Sequence, residues 1–186
     1  RADGYWPVYV RLDHGPAAPT PAEQAKSLVH ADTARAGSWS KPGSAKPGET
    51  LWEFFHHRDD RLVGTGGRTI VPVLVFDQFE ELFTLGAGGG AERARAVAFM
   101  SELAELVENR PSEQLVARLE ESSAEMEVFD FSRTDYRVVI SLREDFLPHL
   151  EGLRTIMPAL MENRMRLARM SGTQALEAVV KPGGAL

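Results

Sequence analysis

Two kinds of apolar pattern alternate along this chain. Short runs rich in aromatic and β-branched residues read as strands: YWPVYVRL at 5–12, TIVPVLVF at 69–76 and YRVVISL at 136–142. Pro7 falls near the start of the first run, where a missing N–H donor is tolerated. The second run is almost continuously apolar, the pattern of a strand covered on both faces in a parallel sheet. NRMRLARM at 163–170 alternates apolar and polar positions and predicts a fourth strand.

Helical periods fill the intervals. Thr20-Pro21 opens a helix running to near Arg35, with Thr as N-cap and Pro in the first turn. Thr50 and Glu53 have capping-box spacing and start another. Val97, Met100, Leu103, Leu106 and Val107 recur at helical spacing within 91–109. A more acidic helical stretch covers 111–125, a short helix runs through Phe146 and Leu150, and a last one spans 172–180 before Pro182. SWSKPGSAKPGE at 38–49, with its two KPG turns, and HHRDDRLVGTGGR at 56–68 read as loops. Strands separated by helices predict an α/β layered fold with a mostly parallel sheet, in which ligands gather at the carboxyl ends of the strands.

Those ends carry the candidate chemistry. VLVFDQFEEL, at 73–82, delivers Asp77, Glu80 and Glu81 directly after four apolar residues. An acid at a strand terminus is the Walker B position of phosphate-transferring NTPases, where it holds Mg²⁺, commonly through water. Glu80 or Glu81, one turn on, is placed to accept a proton from an attacking water or to orient it. The competing reading is that both acids simply favour the positive end of a new helix. Arg143 ends the third run and would reach the same crevice as a cation for a terminal phosphate, or else pair with Glu144 or Asp145.

Other motifs carry less. His56-His57 beside Asp59-Asp60 are adjacent rather than at metal-ligand spacing, and read as a solvated loop. The glycine-rich stretches at 64–67 and 86–90 lack the Lys-Ser/Thr ending of a phosphate loop and read as turns. The motif Gly-x-x-x-x-Gly-Lys-Ser/Thr does not occur in the 186 residues. Either the protein is not an NTPase, or that loop precedes Arg1. A chain starting at Arg1 almost on a strand and ending in KPGGAL reads as a piece of something longer.

Composition narrows the classes. At 43% hydrophobic and 26% charged the chain has the profile of one globular domain. A net charge of -6 gives no footprint for nucleic acid or an anionic membrane. No run of 18 apolar residues and no signal peptide is visible, so no membrane association is expected. Cysteine is absent, which excludes disulfides and thiolate metal sites and is compatible with a reducing compartment.

Taken together, GYWPVYVRL, LWEFFHHRDDRL, VPVLVFDQFEELFTLG, YRVVISLREDFLPHLE, PALMENRMRLARMSG and QALEAVVKPG resemble the NTPase domain of bacterial STAND proteins (signal-transduction ATPases with numerous domains). DQFEEL is also similar to the DGFDEL-type Walker B of the related NACHT proteins. The resemblance implies a three-layer, AAA+-like P-loop NTPase core over 1–170, with the strand order 5-1-4-3-2 and its P-loop strand and helix upstream. The start of a helical lid or linker would occupy 171–186. It implies ATP and Mg²⁺ as cofactors, ATP/ADP exchange, slow hydrolysis, and homo-oligomerisation on activation as a signalling or defence switch in the bacterial cytoplasm. The partners would be other domains of the same chain, with no direct nucleic-acid contact. Asp77 would be the Mg²⁺-linked acid, Gln78 its neighbour at the cofactor, Glu80 the catalytic acid, Glu81 its support, Arg143 the sensor 1 residue and Arg164 a second cation near phosphate.

Three rivals stand beside this reading. One is the same fold with a decayed site, serving as an inactive scaffold for assembly. Another is a metal-dependent hydrolase with Asp77, Glu80 and Glu81 as direct ligands, which would need more ligands than the strand ends supply. A two-carboxylate glycosidase is the weakest, because acids three residues apart on one turn cannot straddle a sugar ring.

Overall fold

A computed structural model describes residues 4–15, 17–40, 48–64, 66–87 and 89–183. Most of the two KPG turns, Thr65 and Gly88 lie outside the described residues.

The expected parallel sheet forms from β1 (Tyr5–Val10), β4 (Val71–Phe76) and β5 (Arg137–Ile140), in the order β1-β4-β5. Register is continuous across it: Val10 pairs with Phe76, and Phe76 with Ile140. All three strands therefore end at one rim. Between β1 and β4 run α1 (Pro21–Thr33), β2 (Gly37–Trp39), α2 (Leu51–His56) and β3 (Leu62–Gly64). Between β4 and β5 lie α3 (Glu80–Ala87), α4 (Ala91–Val107), α5 (Glu113–Glu121) and α6 (Ser123–Met126). After β5, a 3₁₀ turn at Glu144–Phe146 leads to α7 (Leu147–Glu151), α8 (Ala159–Glu162) and α9 (Gly172–Gly183).

Local chemistry sets the helix starts. The capping box expected at Thr50 closes, and the Thr20 N-cap proves to be a second one: Thr20 and Thr50 accept from the amides of Glu23 and Glu53, whose carboxylates accept in return from the threonine amides at 2.9 and 2.8 Å. α1, α2 and α4 pack together and α1 lies on β1 and β4, so they bury one face of the sheet. Val8, Val10, Leu74 and Phe76 point into that layer. Phe76 meets Phe79 and Phe99 edge-on, with centroids 6.2 and 5.7 Å away. Burying each such ring contributes roughly 1.5–3 kcal/mol.

The sequence-based expectation needs four corrections. β4 is not covered equally on both faces: Pro72, Leu74 and Phe76 are buried while Val71, Val73 and Val75 are only half-covered. On that second face Tyr9 is 71% and Val139 46% exposed. The continuous apolar run thus reflects β-propensity as much as burial.

The fourth strand is also missing. Among the described residues, 163–170 have no ladder partner, and Met165 and Leu167 are 82% and 83% exposed. Alternation supplies a face, but a strand exists only where a neighbouring edge takes its backbone hydrogen bonds.

Of HHRDD, expected in solvent, Arg58 and Asp59 are exposed, but His56, His57 and Asp60 are buried. His56 closes α2 with its ring stacked on Trp52 at 3.9 Å, and its Nε2 lies 2.7 Å from Asn109 Oδ1. His57 pairs with Glu49, and the buried Arg133 donates to the carbonyls of His57 and Asp60. Each polar group enters the interior with a partner.

Lastly, the stretches expected as loops contribute β2 and β3, an antiparallel ribbon pairing Gly37 with Gly64 and Trp39 with Leu62. A Cβ at Gly37 would come within 2.2 Å of Val63 O, so only glycine fits there.

Candidate functional site

The shared rim brings Arg11, Asp77 and Ser141 out side by side, each one residue beyond the last pair of its strand. Ser141 N donates to Phe76 O at 2.8 Å, carrying the ladder one step further. The chain then turns sharply. Gln78 takes φ 57°, its carbonyl accepts from Glu81 N at 3.0 Å, and Phe79 O accepts from Leu82 N at 3.1 Å. With Phe79, Leu82 and Phe83 buried beneath it, α3 starts at Glu80. Glu80 and Glu81 therefore do occupy the positive first turn of a helix, as the competing reading required. They also stand at the rim.

The four polar side chains of DQFEE differ in their surroundings. Asp77 is exposed and makes no side-chain hydrogen bond or ion pair among the described residues. Gln78 is exposed, with Oε1 3.4 Å from an Arg11 guanidinium nitrogen. Glu80 is half-buried, and its Oε2 is fully buried without a hydrogen-bond partner among the described residues. Glu81 is about half exposed, with Oε2 3.5 Å from His14 Nε2. A carboxylate oxygen withdrawn from water and left unpaired costs free energy unless something else solvates it. Glu80 is the one acid here in that condition.

Arg143 stands past the neighbouring strand tip, largely exposed, and pairs with Asp145 Oδ2 at 2.7 Å. Arg164 lies on the unpaired 163–170 stretch, also exposed, while its neighbour Arg166 reaches Glu144 at 2.7 Å. Asp77, Gln78, Glu80, Glu81 and Arg143 thus follow the ends of neighbouring strands, whereas Arg164 lies on the coil after α8 and makes no contact with them among the described residues.

The rim suits a hard cation. Its donors are oxygens, and no group of three or more His, Cys, Asp or Glu among the described residues converges to hold a metal ion. Such a donor set fits Mg²⁺ held by one or two carboxylates together with water and phosphate oxygens, rather than an all-protein cage. Asp77 would anchor it and Glu80 would face its surroundings. The hydrolase with three direct acidic ligands finds no support in this arrangement.

Reading the sequence missed Arg11 and His14. Both follow β1, whose outward positions carried no motif. The signal available was their placement just after a strand, on the same side of the sheet order as Asp77. A larger groove, about 280 Å³, lies elsewhere, lined by Glu49, Glu53, His57, Arg118, Glu125 and Phe129. Its charges pair among themselves: Arg118 with Glu53 and with Glu125 at 2.9 Å, and His57 with Glu49. Burial works against the Glu53 charge, yet the Thr50 amide and Arg118 outweigh it and hold its carboxyl below the usual range.

No helix among the described residues is long and apolar enough to cross a membrane. A family profile described as Novel STAND NTPase 1 matches residues 15–185. No curated protein and no solved structure matches the chain.

Proposed function

This chain belongs to the novel STAND NTPase 1 family, and from that premise we propose that it forms the Walker B and sensor half of an ATP-hydrolysing switch. The observation that carries the proposal is the Glu80 oxygen, buried at the carboxyl rim of a parallel sheet and unpartnered among the described residues, beside an Asp77 whose side chain has no partner among them either. The order β1-β4-β5 is compatible with the 4-3-2 portion of a three-layer P-loop core, in which the phosphate-loop strand lies beyond β5.

Each residue then has a distinct task. Bound Mg²⁺ would neutralise charge on the phosphoryl group being transferred. Asp77, at a rigid strand end, would be the residue that holds that ion. Glu80, with one oxygen shielded from solvent, orients the attacking water and takes its proton. Arg143 leaves Asp145 to meet the terminal phosphate, and its return after hydrolysis reports the loss of that phosphate. Turnover is slow, and the ATP and ADP forms differ in their tendency to assemble with further copies and with other domains of the protein. One observation favours the inactive scaffold as a second reading: Arg143 is already engaged with Asp145.

Titration calorimetry of ATP on the full-length protein, with Mg²⁺ and with EDTA, separates the two. The switch predicts metal-dependent binding that weakens at least about tenfold in Asp77→Ala, in keeping with the loss of one strong charge-assisted contact. Absence of any ATP binding by the wild type overturns it in favour of the scaffold.

A further inference from the structure

We infer that the loop between β1 and α1 is a positioning arm of the rim: Arg11 and His14 hold Gln78 and Glu81, and this leaves Asp77 and Glu80 as the two side chains of DQFEE that serve the nucleotide. The inference rests on the function proposed above. It reassigns Gln78 from the cofactor and Glu81 from catalysis to holding the turn.

The contacts divide the four side chains in two. Gln78 meets Arg11 at 3.4 Å and Glu81 meets His14 at 3.5 Å, both across the gap between β1 and α3. Among the described residues Asp77 has no such partner, and the buried oxygen of Glu80 has none either. Had the acids only been solvating a helix start, no pattern of engaged and free side chains along one turn would be needed.

The arm itself is held from two helices. Gln24 of α1 accepts from Asp13 N at 2.7 Å and donates to Asp13 O and Pro19 O at 2.8 and 2.9 Å. Arg95 of α4 donates to Ala18 O and Pro19 O at 2.7 and 2.6 Å. Gly15 N donates to Asp13 Oδ1 at 2.8 Å. His14 therefore sits on a loop whose flanks are tied down at five points, with its side chain only 22% exposed beside Leu82, Glu92 and Arg95. A loop held that firmly can fix the first turn of α3, and with it the direction in which Glu80 points.

The test uses the full-length protein with His14→Ala, Glu81→Ala, the double variant and His14→Gln. It reads kcat and KM for ATP together with hydrogen exchange of the amides at the start of α3. Each single alanine variant is expected to lower kcat roughly tenfold with KM little changed, the scale of a small misplacement of a catalytic group. The double variant should lose no more than either single one, as for residues acting as a pair. His14→Gln, which keeps an N–H donor, should recover most of the rate. The amides of Glu81 and Leu82 should exchange faster in His14→Ala. Additive losses, or an unchanged kcat in His14→Ala, overturn the inference while leaving the ATPase reading in place. If the wild type shows no turnover, the ATPase reading fails, and exchange alone decides the arm: unchanged protection in His14→Ala overturns it.

Discussion

Phe79 N donates to Ser141 O at 3.0 Å, so the first turn of α3 hangs from the tip of the neighbouring strand β5. The segment bearing the acids and the segment bearing Arg143 are thereby one rigid piece at the backbone. Phe79 also buries its ring against Phe76 and Phe83, which fixes the side of the turn from which Glu80 projects.

Glu80 is the acid with a shielded, unpartnered oxygen, so its loss should fall on chemistry rather than binding. Glu80→Gln in the full-length protein is expected to keep ATP bound while turnover drops at least about a hundredfold, the scale of a lost general base. Steady-state phosphate release and nucleotide titration check the two halves. Hydrolysis at the wild-type rate would remove Glu80 from the role.

Gln78 occupies the left-handed region at φ 57°, where a non-glycine residue is held at a cost of roughly 1–2 kcal/mol. The NACHT-type motif that DQFEEL resembles has glycine in this position. Gln78→Gly should relieve most of that strain, offset in part by the lost 3.4 Å contact to Arg11 and by the freer unfolded chain. Urea unfolding should show a stability equal to or above wild type; a loss above about 1 kcal/mol would mean that the Arg11 contact outweighs the strain.

His30 gives a pH signature. Its ring packs edge-on between Trp39 and Phe54, at 5.4 and 5.1 Å, with Nε2 buried and unpartnered among the described residues. Burial lowers its pKa from the ordinary 6.5, against the opposing pull of Asp60 and Glu49. The unfolded chain therefore takes up the proton first, and the stability this residue contributes is complete above about pH 6.5 and lost on acidification. His56 shifts in the same direction, again chiefly through burial. Glu102 and Glu105, raised by burial, slope the opposite way. The difference between wild type and His30→Phe isolates the one group. The variant should be at least as stable at pH 7.5, with a lead that widens by pH 5.5; parallel curves would contradict the assignment.

Arg164, Arg166 and Arg169 lie on exposed backbone without ladder partners, whereas Arg133 is 5% exposed and bonded on several sides. Limited trypsin digestion should cut the 163–170 stretch at least about tenfold faster than at Arg133, since cleavage follows local opening. Resistance at all three arginines would show that the full-length protein covers this stretch.

Much of this was legible in the residues. The three sheet strands, the Thr20 N-cap, the Thr50 capping box and the helix carrying Leu103 and Leu106 follow from period and cap chemistry, which are local. The strand-terminal acids were visible for the same reason: an apolar run that ends in Asp77 announces a strand end wherever it lies in the fold. What failed was non-local. β2 and β3 have three residues each, too few for a period, and Gly37 is what lets their two backbones meet. The burial of His56, His57 and Asp60 depends on Asn109, Glu49 and Arg133, residues outside the motif. Residues 163–170 had the right alternation and no edge to join. Arg11 and His14 escaped notice because they acquire meaning only when β1 lies against β4.

The sheet has a kinetic consequence as well. Tyr5 pairs with Val71 and Val73 with Arg137, so every rung of the three-stranded ladder joins segments made at well-separated moments of synthesis. Loop closure has to be completed before such rungs reward it, which delays the ladder relative to the helices. On the ribosome, β1 must wait through the whole of α1 and α2 for its neighbour to emerge.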